Sequence, residues 1–286
     1  MEFLSPTSLT DALAARAEHP DAVPIAGGTD VMVELNFDRH RPPALLDLTR
    51  VPELATWDRD DGRIRLGAGV TYARVIDELA TELPGLALAS RTVGSPQIRN
   101  RGTVGGNLGA ASPAGDAHPA LLATGAEVEL ASVSGVRRVP AAEFYTGPKK
   151  HAGRPDELVT AVWIPCATGP QQFSKIGTRN AMVIAVAAFG LALHTEQRSV
   201  GTGIGSAGPT PLRAREAEAF LAAELDWESR ADVADPVAAE FGRLVAAAAA
   251  PIDDVRGTAA YRRHALAVMA RRCLAWAWAD HQGGEG

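Results

Sequence analysis

Cysteine is scarce in this chain of 286 residues, which contains only Cys166 and Cys273 and no CxxC pair. Two isolated cysteines cannot by themselves ligate an iron–sulfur cluster or build a zinc site. Nothing in the sequence marks the chain as secreted, so we do not expect a disulfide. The chain is therefore excluded from the classes of protein that depend on cysteine clusters.

Aromatic residues and positive charge are also limited. Aromatic side chains make up 5% of the sequence, which leaves no apparent platform for stacking single-stranded bases. The 34 acidic residues outnumber the 28 basic ones, and the net charge is -6. Nucleic acid is therefore not an expected partner.

Long apolar runs are missing as well. The longest uncharged apolar run, from Ala181 to Leu193, has 13 residues, whereas a bilayer requires roughly 20. The first residues lack the basic and apolar regions of a signal peptide. We expect a cytoplasmic protein that does not bind a membrane.

Motifs for hydrolytic or metal chemistry are absent from the sequence. The seven histidines form neither HxxxH nor HExxH, and no GxSxG elbow occurs, so we predict no metal site. The segment Gly203 to Gly208 fits GxGxxG, but prolines follow at once and the acidic residue of a ribose site is missing. We interpret it as a glycine-rich strand end packed against a helix. For His118, between a loop and a proline, we expect a capping or solvent-exposed role.

The order of predicted elements indicates an α+β fold with two domains. Strand and helix signals alternate within the first 48 residues, which favours a small parallel βαβ unit. Residues 60–165 read as less regular α+β, with a hairpin of strands 54–57 and 63–66, a strand at 127–130 with one wet face, and a loop at 147–155. Beyond a boundary near residue 169, we expect strands at 173–176, 183–193 and 200–206. Helices at 213–225, 230–249 and 258–281 follow, and a frayed end covers 283–286.

Two glycine pairs are the most informative feature of the chain. They lie in Ala26-Gly27-Gly28-Thr29-Asp30 and in Thr103-Val104-Gly105-Gly106-Asn107. The first alone is equally compatible with an ordinary turn between a strand and a helix. Together, the two pairs suggest backbone cradles around one large anionic ligand, because amides at helix starts point at phosphate oxygens.

The surroundings of the second pair add to this interpretation. Residues 95–116 show little hydrophobic periodicity and carry one carboxylate, Asp116. We expect a long structureless stretch, which in a compact domain is usually functional. Lys175 lies in an apolar strand, where a lysine either points at solvent or directs its charge at a cofactor.

These segments resemble the flavin-binding subunit of the molybdenum hydroxylases, the family of xanthine dehydrogenase and the carbon monoxide dehydrogenase medium subunit. The resemblance runs from Phe3 to about Phe220. It is carried by the first glycine segment, by Gln97 to Asn107, by Ala111-Ser112-Pro113-Ala114-Gly115-Asp116, and by Asp156-Glu157-Leu158 ahead of Ile164-Pro165. The Ala-Ser-Pro-x-x-Asp segment is most similar to xanthine dehydrogenase.

The resemblance implies FAD and a particular architecture. A two-lobed FAD-binding domain at residues 1–168 would comprise a parallel βαβ lobe (about 1–55) and a mixed-sheet lobe (about 56–168). A three-stranded antiparallel sheet with a helix bundle would follow at 169–286. The first loop would wrap the FAD pyrophosphate with Pro24, Ile25, Ala26, Gly27, Gly28, Thr29, Asp30 and Val31. The second would contain Thr103, Val104, Gly105, Gly106 and Asn107. Asp116 would bind cofactor hydroxyls, and Val93, Val159 and Lys175 align with flavin contacts.

The resemblance also implies partner chains. In this family a large subunit holds the molybdenum cofactor, and electrons pass through [2Fe–2S] clusters to the FAD and then to NAD or another acceptor. We therefore expect a hetero-oligomer and no catalytic acid or base in this chain. Two alternatives stay open, namely a free-standing FAD-dependent oxidase or reductase and a flavin-free scaffold subunit.

Overall fold

The computed structural model describes residues 1–39 and 41–283; the last three residues of the expected frayed end, 284–286, lie outside this range. The chain begins with a three-stranded parallel sheet in the order β1-β3-β2. Its elements are β1 (Glu2–Leu4), α1 (Leu9–Glu18), β2 (Val23–Ile25), α2 (Val31–Asn36) and β3 (Ala44–Asp47). Ser8 starts α1 by accepting a hydrogen bond from the Asp11 amide. The expected parallel βαβ lobe is confirmed.

A second, five-stranded sheet forms the middle of the molecule. Its elements are β4 (Trp57–Asp60), β5 (Arg63–Gly67), α3 (Tyr72–Glu78), α4 (Pro84–Arg91), α5 (Pro96–Arg101), α6 (Val104–Ala110), α7 (Ala117–Ala123), β6 (Glu127–Ser132), β7 (Gly135–Pro140), α8 (Ala141–Phe144), β8 (Tyr145–Gly147), β9 (Lys150–His151) and β10 (Leu158–Pro165). The strand order is β4-β5-β10-β6-β7, with β8 and β9 as a separate hairpin. We expected a mixed sheet, but every pairing within these five strands is antiparallel.

The last part of the chain is the expected antiparallel sheet with helices. It contains β11 (Gln171–Ile176), β12 (Ala187–His194), β13 (Ser199–Gly205), α9 (Arg215–Glu224), α10 (Asp235–Ala248) and α11 (Ala259–Gly283). A buried cluster that includes Phe189, Phe241 and Leu266 joins β12 to α10 and α11. Among the described residues, no helix has both the length and the apolar character that crossing a bilayer requires. The α+β fold is confirmed, whereas the boundary near residue 169 stays a prediction.

The glycine-rich strand β13 packs against α7. A Cβ added at Gly201 would lie 1.9 Å from the Ala123 carbonyl oxygen, and one added at Gly203 would lie 2.0 Å from that of Pro119. The absence of side chains therefore lets the helix backbone touch the strand. This confirms the interpretation of the GxGxxG segment as a helix-packing strand end.

Residues 95–116 are not structureless, contrary to our expectation. They contain two short helices, α5 and α6, whose first turns are capped by the hydroxyls of Ser95 and Thr103. Pro96 occupies the first position of α5, where its missing N–H costs nothing. Helices of six and seven residues are too short to show a recurring apolar period, so the sequence pattern did not reveal them.

The strand predicted to have one wet face is buried instead. In β6, Glu129 accepts hydrogen bonds from Arg65 (2.6 Å), Thr160 (2.9 Å) and Trp163 (2.8 Å). Burial opposes its ionisation, but these donors together lower the pKa of Glu129 below its ordinary value. In a strand with alternating polar and apolar residues, a charged side chain can therefore be buried when neighbouring strands supply its hydrogen-bond donors.

Three boundaries also differ from those predicted. Residues 52–54 form a 3₁₀ turn, so the first hairpin strand begins at Trp57. The segment 147–155 includes β9 rather than loop alone. Strand β12 begins at Ala187, because residues 183–186 approach it as an irregular segment.

Replacing Gly203 with alanine should destabilise the protein by about 1–3 kcal/mol, because the new Cβ would overlap the Pro119 carbonyl of α7. Thermal and denaturant unfolding measure this change. Gly147→Ala is the matched control in a strand, since its Cβ would meet only Lys150 side-chain carbons at 3.8 and 3.9 Å. Equal stability of the two variants would contradict the packing of β13 against α7.

Candidate functional site

The two glycine turns lie against each other. A Cβ added at Gly27 would be 1.9 Å from the Arg101 carbonyl oxygen and 2.9 Å from the Gly102 amide nitrogen. The Thr29 hydroxyl is 3.5 Å from the corresponding Cβ position of Gly102. The turn after β2 and the turn before α6 are therefore in direct backbone contact, although they are far apart in the sequence.

In the first turn, the backbone conformation at position 28 requires glycine. Gly28 has a φ of 74°, a left-handed conformation in which a side chain is strained. The Gly28 carbonyl accepts a hydrogen bond from the Met32 amide, and Asp30 precedes the helix without capping it through its side chain. Pro24 and Ile25 belong to β2, and Val31 is the first residue of α2. The sequence between β2 and α2 is thus a tight turn directed toward α5.

The second turn contains two glycines with different requirements. A Cβ at Gly105 would lie 2.4 Å from the Cβ of Ala68, so close packing on the turn after β5 requires this glycine. A Cβ at Gly106 would meet only the Thr103 hydroxyl oxygen, at 3.0 Å. The same hydroxyl accepts a hydrogen bond from the Gly106 amide at 2.9 Å. Gly106 is therefore the member of the pair that borders open space.

A cavity of about 170 Å3 opens where the two turns meet. Ala26 and Gly27 line it from the first turn, and Arg101 and Thr103 line it from the second. Asn100, Thr49 and Thr71 add polar groups. Its lining thus includes glycine backbone, three threonines and one arginine, which are residue types suited to binding an anion.

A larger cavity of about 360 Å3 is also lined in part by α5. Ile98 of α5 lines this cavity, whereas Asn100 and Arg101 line the smaller one. Its remaining lining residues are Gly94, Ser95, Ala114, Asp116, Met182, Val183 and Ile184. A single helical turn thus contributes to both cavities.

Asp116 and Lys175 form a buried ion pair at the larger cavity. The Lys175 Nζ donates to Asp116 Oδ2 at 2.6 Å and to the Thr92 carbonyl at 3.1 Å. Their side chains are 10% and 7% exposed, respectively. Burial raises the pKa of Asp116 to about 6, and the Lys175 ammonium opposes part of that shift. Of the two readings of Lys175, the solvent-facing one is wrong.

The expectation for His118 is also wrong, because the residue is fully buried in α7. Its Nδ1 lies 2.6 Å from the Tyr145 hydroxyl. Burial lowers the pKa of His118 to about 3, so the ring is neutral near physiological pH. Helix α7 packs against β12 and β13 of the last sheet. The sequence around His118 resembles a loop and does not indicate this long-range packing.

Several buried polar atoms around this region have no hydrogen-bond partner within the described protein. They are Tyr72 Oη, Asn107 Oδ1 and Asp116 Oδ1. Buried polar atoms without partners are uncommon in proteins and often indicate a ligand or an ordered water. Asp116 combines such a free oxygen with a position on the cavity wall.

Val93 and Val159 are less clearly connected to the cavities. Both are partly buried against the central core, and neither lines either cavity. Val93 directly precedes the cavity residue Gly94, and Val159 lies beside the irregularity in the pairing of β10 with β6. Their predicted role as flavin contacts stays a prediction.

Some residues at the cavities were not among the predicted contacts. Asn100 and Arg101 stand directly before the second glycine motif, and that adjacency could have indicated them. Met182, Val183 and Ile184 reach the larger cavity through the tertiary fold, and nothing in their local sequence indicates it.

Comparison with known proteins identifies two family matches. The family described as "FAD binding domain in molybdopterin dehydrogenase" matches residues 1–167, and "CO dehydrogenase flavoprotein C-terminal domain" matches residues 172–277. Among similar proteins, the nicotinate dehydrogenase FAD-subunit of Eubacterium barkeri is 33% identical over 77% of this chain and 79% of its own length. The xanthine dehydrogenase FAD-binding subunit of Escherichia coli O157:H7 is 30% identical over 96% and 95%, respectively.

The fold is likewise similar to that of a solved structure. A chain of reconstituted CO dehydrogenase from Oligotropha carboxidovorans superposes with a TM-score of 0.89 at 31% identity, covering 98% of both chains. The similarity therefore extends over all three sheets rather than one domain.

Replacing Lys175 with methionine should raise the pKa of Asp116 further, because the opposing ammonium is removed. The unfolded chain loses this proton near the ordinary value of 3.8, so the variant's stability should fall as pH rises through the higher, folded-state pKa. Near neutral pH we expect a loss of about 3–5 kcal/mol, typical of a buried pair with one member removed.

Denaturant unfolding at a series of pH values measures this effect. The double variant Asp116→Asn/Lys175→Met is the control, since it carries no charge at either position. A single variant whose stability relative to this control does not change with pH would contradict the buried-pair account.

Proposed function

We propose that this chain, which belongs to the family of FAD-binding subunits of the molybdenum hydroxylases, binds one FAD across its two glycine turns and both cavities. We further propose that it receives electrons from a [2Fe–2S] partner subunit and passes them to NAD. The family membership is supported by the matches over residues 1–167 and 172–277. The position proposed for FAD rests on the geometry of the site, whereas the electron donor and NAD rest on the resemblance to the family.

The contact between Gly27 and the Arg101–Gly102 backbone is the observation that carries this proposal. It places the amide-rich turns before α2 and α6 at one cavity, which Ala26, Gly27 and Thr103 line together. A dinucleotide diphosphate has two linked anionic groups, so adjacent turns can bind it jointly. Two turns on separate surfaces could not.

The residues present fit FAD in two further respects. Gly106 keeps open a surface that a Cβ would occupy, as close approach of a ligand to backbone requires. Asp116 keeps one buried oxygen without a protein partner, and a carboxylate oxygen accepts hydrogen bonds from hydroxyls such as those of a ribityl chain. Helix α5 lines both cavities, so an elongated ligand lying along α5 could contact both.

Each group of this chain then has a defined role. The first turn, Pro24 to Val31, and the second, Thr103 to Asn107, would hold the diphosphate through backbone amides. Lys175 would hold Asp116 in place and favour its ionised form. Asp116 Oδ1 would then accept hydrogen bonds from cofactor hydroxyls. When bound, FAD supplies both one-electron and two-electron transfer, while the protein supplies position and polarity.

The redox partners must be other polypeptides under this proposal. Cys166 directly follows β10 and Cys273 is buried in α11, and two thiols are too few to ligate a [2Fe–2S] cluster. The relatives include proteins named as FAD subunits and medium chains of dehydrogenases. We propose a hetero-oligomer with an iron–sulfur subunit and a large molybdenum-cofactor subunit, located in the cytoplasm.

Gly106→Ala tests the site directly. The fold accommodates this Cβ apart from the Thr103 hydroxyl, so stability should change little. FAD affinity should fall about tenfold or more, equivalent to at least ~1.4 kcal/mol, because the methyl group would occupy the ligand's surface. Fluorescence titration of the apo-protein with FAD measures the affinity.

Gly109→Ala is the matched control, since this glycine lies in the same helix and its Cβ would meet nothing within 4 Å. It should bind FAD normally. Normal FAD affinity in Gly106→Ala would contradict the assignment of the second turn. A wild-type chain that never binds FAD would instead support the scaffold alternative.

Anaerobic mixing of the FAD-loaded chain with NADH tests the electron acceptor, because hydride transfer is reversible. We expect the oxidised flavin absorbance to disappear at a rate that depends on NADH concentration. No reaction with NADH, combined with rapid oxidation of the chemically reduced flavin by a quinone or oxygen, would rule out NAD and leave the FAD site intact. Steady turnover of an organic substrate by the isolated chain would favour the free-standing enzyme.

A further inference from the structure

We infer that His118 is a positioning residue for the Asp116 carboxylate, and that Tyr145 acts on the cofactor site through His118. The inference deepens the proposed FAD site and rests on it. Neither residue lines the cavities. Their effect would be transmitted through the backbone between Ser112 and Asp116.

The His118 ring is fixed from outside its own helix. Tyr145, at the start of β8, places its hydroxyl 2.6 Å from His118 Nδ1, and the two rings are 4.7 Å apart at an angle of 58°. Phe144 packs edge-on against Tyr145 at 5.3 Å. The imidazole orientation is therefore determined by a hydrogen bond and by packing on a neighbouring hairpin.

The protonation states of the pair are consistent with one hydrogen-bonding direction. Burial raises the pKa of Tyr145 well above its ordinary value and lowers that of His118. Because a neutral imidazole has one unprotonated nitrogen, we assign the Tyr145 hydroxyl as the donor to Nδ1. The ring then carries its proton on Nε2.

Nε2 faces the segment that precedes Asp116. A Cβ at Gly115 would lie 2.2 Å from His118 Nε2 and 2.8 Å from Asn107 Oδ1. The Gly115 backbone therefore packs against both the imidazole and the side chain of Asn107, which belongs to the second glycine turn. Because Asp116 is the next residue, the position of its Cα depends on this packing.

Lys175 binds the carboxylate of Asp116. Two contacts therefore restrain this residue: the Lys175 ammonium binds Oδ2, and His118 and Asn107 pack against the backbone of the preceding Gly115. A shift of the backbone would leave the ion pair able to re-form but would redirect Oδ1, the oxygen assigned to the cofactor. Loss of the His118–Tyr145 hydrogen bond should therefore weaken FAD binding without abolishing folding.

Three variants test this inference: Tyr145→Phe, His118→Asn and His118→Leu. Tyr145→Phe keeps the ring and removes the hydroxyl, and should weaken FAD binding about fivefold, as expected from one buried hydrogen bond. His118→Leu should weaken it more. His118→Asn retains a polar group near the Nδ1 position and should restore part of the affinity. FAD titration of each apo-protein gives the affinity, and Tm reports stability separately.

Thr124→Val, at the residue that ends α7 as its C-cap, is the matched control. It removes a buried hydroxyl that bonds to the Ala120 and Leu121 carbonyls and has no contact with Gly115. We expect it to lower Tm and to leave FAD affinity unchanged. The double variant Tyr145→Phe/His118→Leu should bind FAD as weakly as His118→Leu alone, because Tyr145 acts through His118.

Unchanged FAD affinity in both Tyr145→Phe and His118→Asn, with Tm alone reduced, would overturn the positioning role. Additive losses in the double variant would overturn the claim that Tyr145 acts through His118. A wild-type chain that does not bind FAD would refute the proposed function itself, and this result is distinguishable from either of the others.

Discussion

The backbone contact between Gly27 and Arg101 is the constraint on which the site depends. At 1.9 Å from the Arg101 oxygen, no Cβ can exist at position 27, so the parallel lobe can dock on α5 only through glycine. This docking brings the turns before α2 and α6 to one cavity. Without it the chain would have two unrelated turns rather than one binding site.

The second constraint is the burial of charge next to the larger cavity. Asp116 and Lys175 are held away from water, and the Lys175 ammonium favours the ionised form of the Asp116 carboxyl. A buried carboxylate with a fixed cation on one oxygen presents the other oxygen in a defined direction. Such preorganisation suits the role proposed for Asp116, which is to hold a cofactor in one position.

The sequence predicted those parts of the site whose structure depends on neighbouring residues alone, namely the glycine turn and the helix cap. Gly28 needs a left-handed φ and Thr103 caps α6, and both requirements are visible in a few neighbouring residues. The parallel order of the first sheet followed from the short alternation of strands and helices. The two glycine pairs themselves suggested that the turns share one ligand, and the missing Cβ of Gly27 explains how they come into contact.

The failures come from tertiary contacts that local patterns do not encode. Glu129 appeared to mark a wet strand face, but Arg65 and Trp163 approach it from neighbouring strands. His118 appeared exposed because it stands between a loop and a proline. His118 is instead packed against Tyr145 of β8 and against the backbone of Gly115.

A crystal structure of the chain with FAD bound tests the central claim most directly. The account predicts that the diphosphate lies between the Gly27–Gly28 turn and the start of α6, with Asp116 on a cofactor hydroxyl. FAD located away from either turn, or contacts from one turn alone, would contradict it.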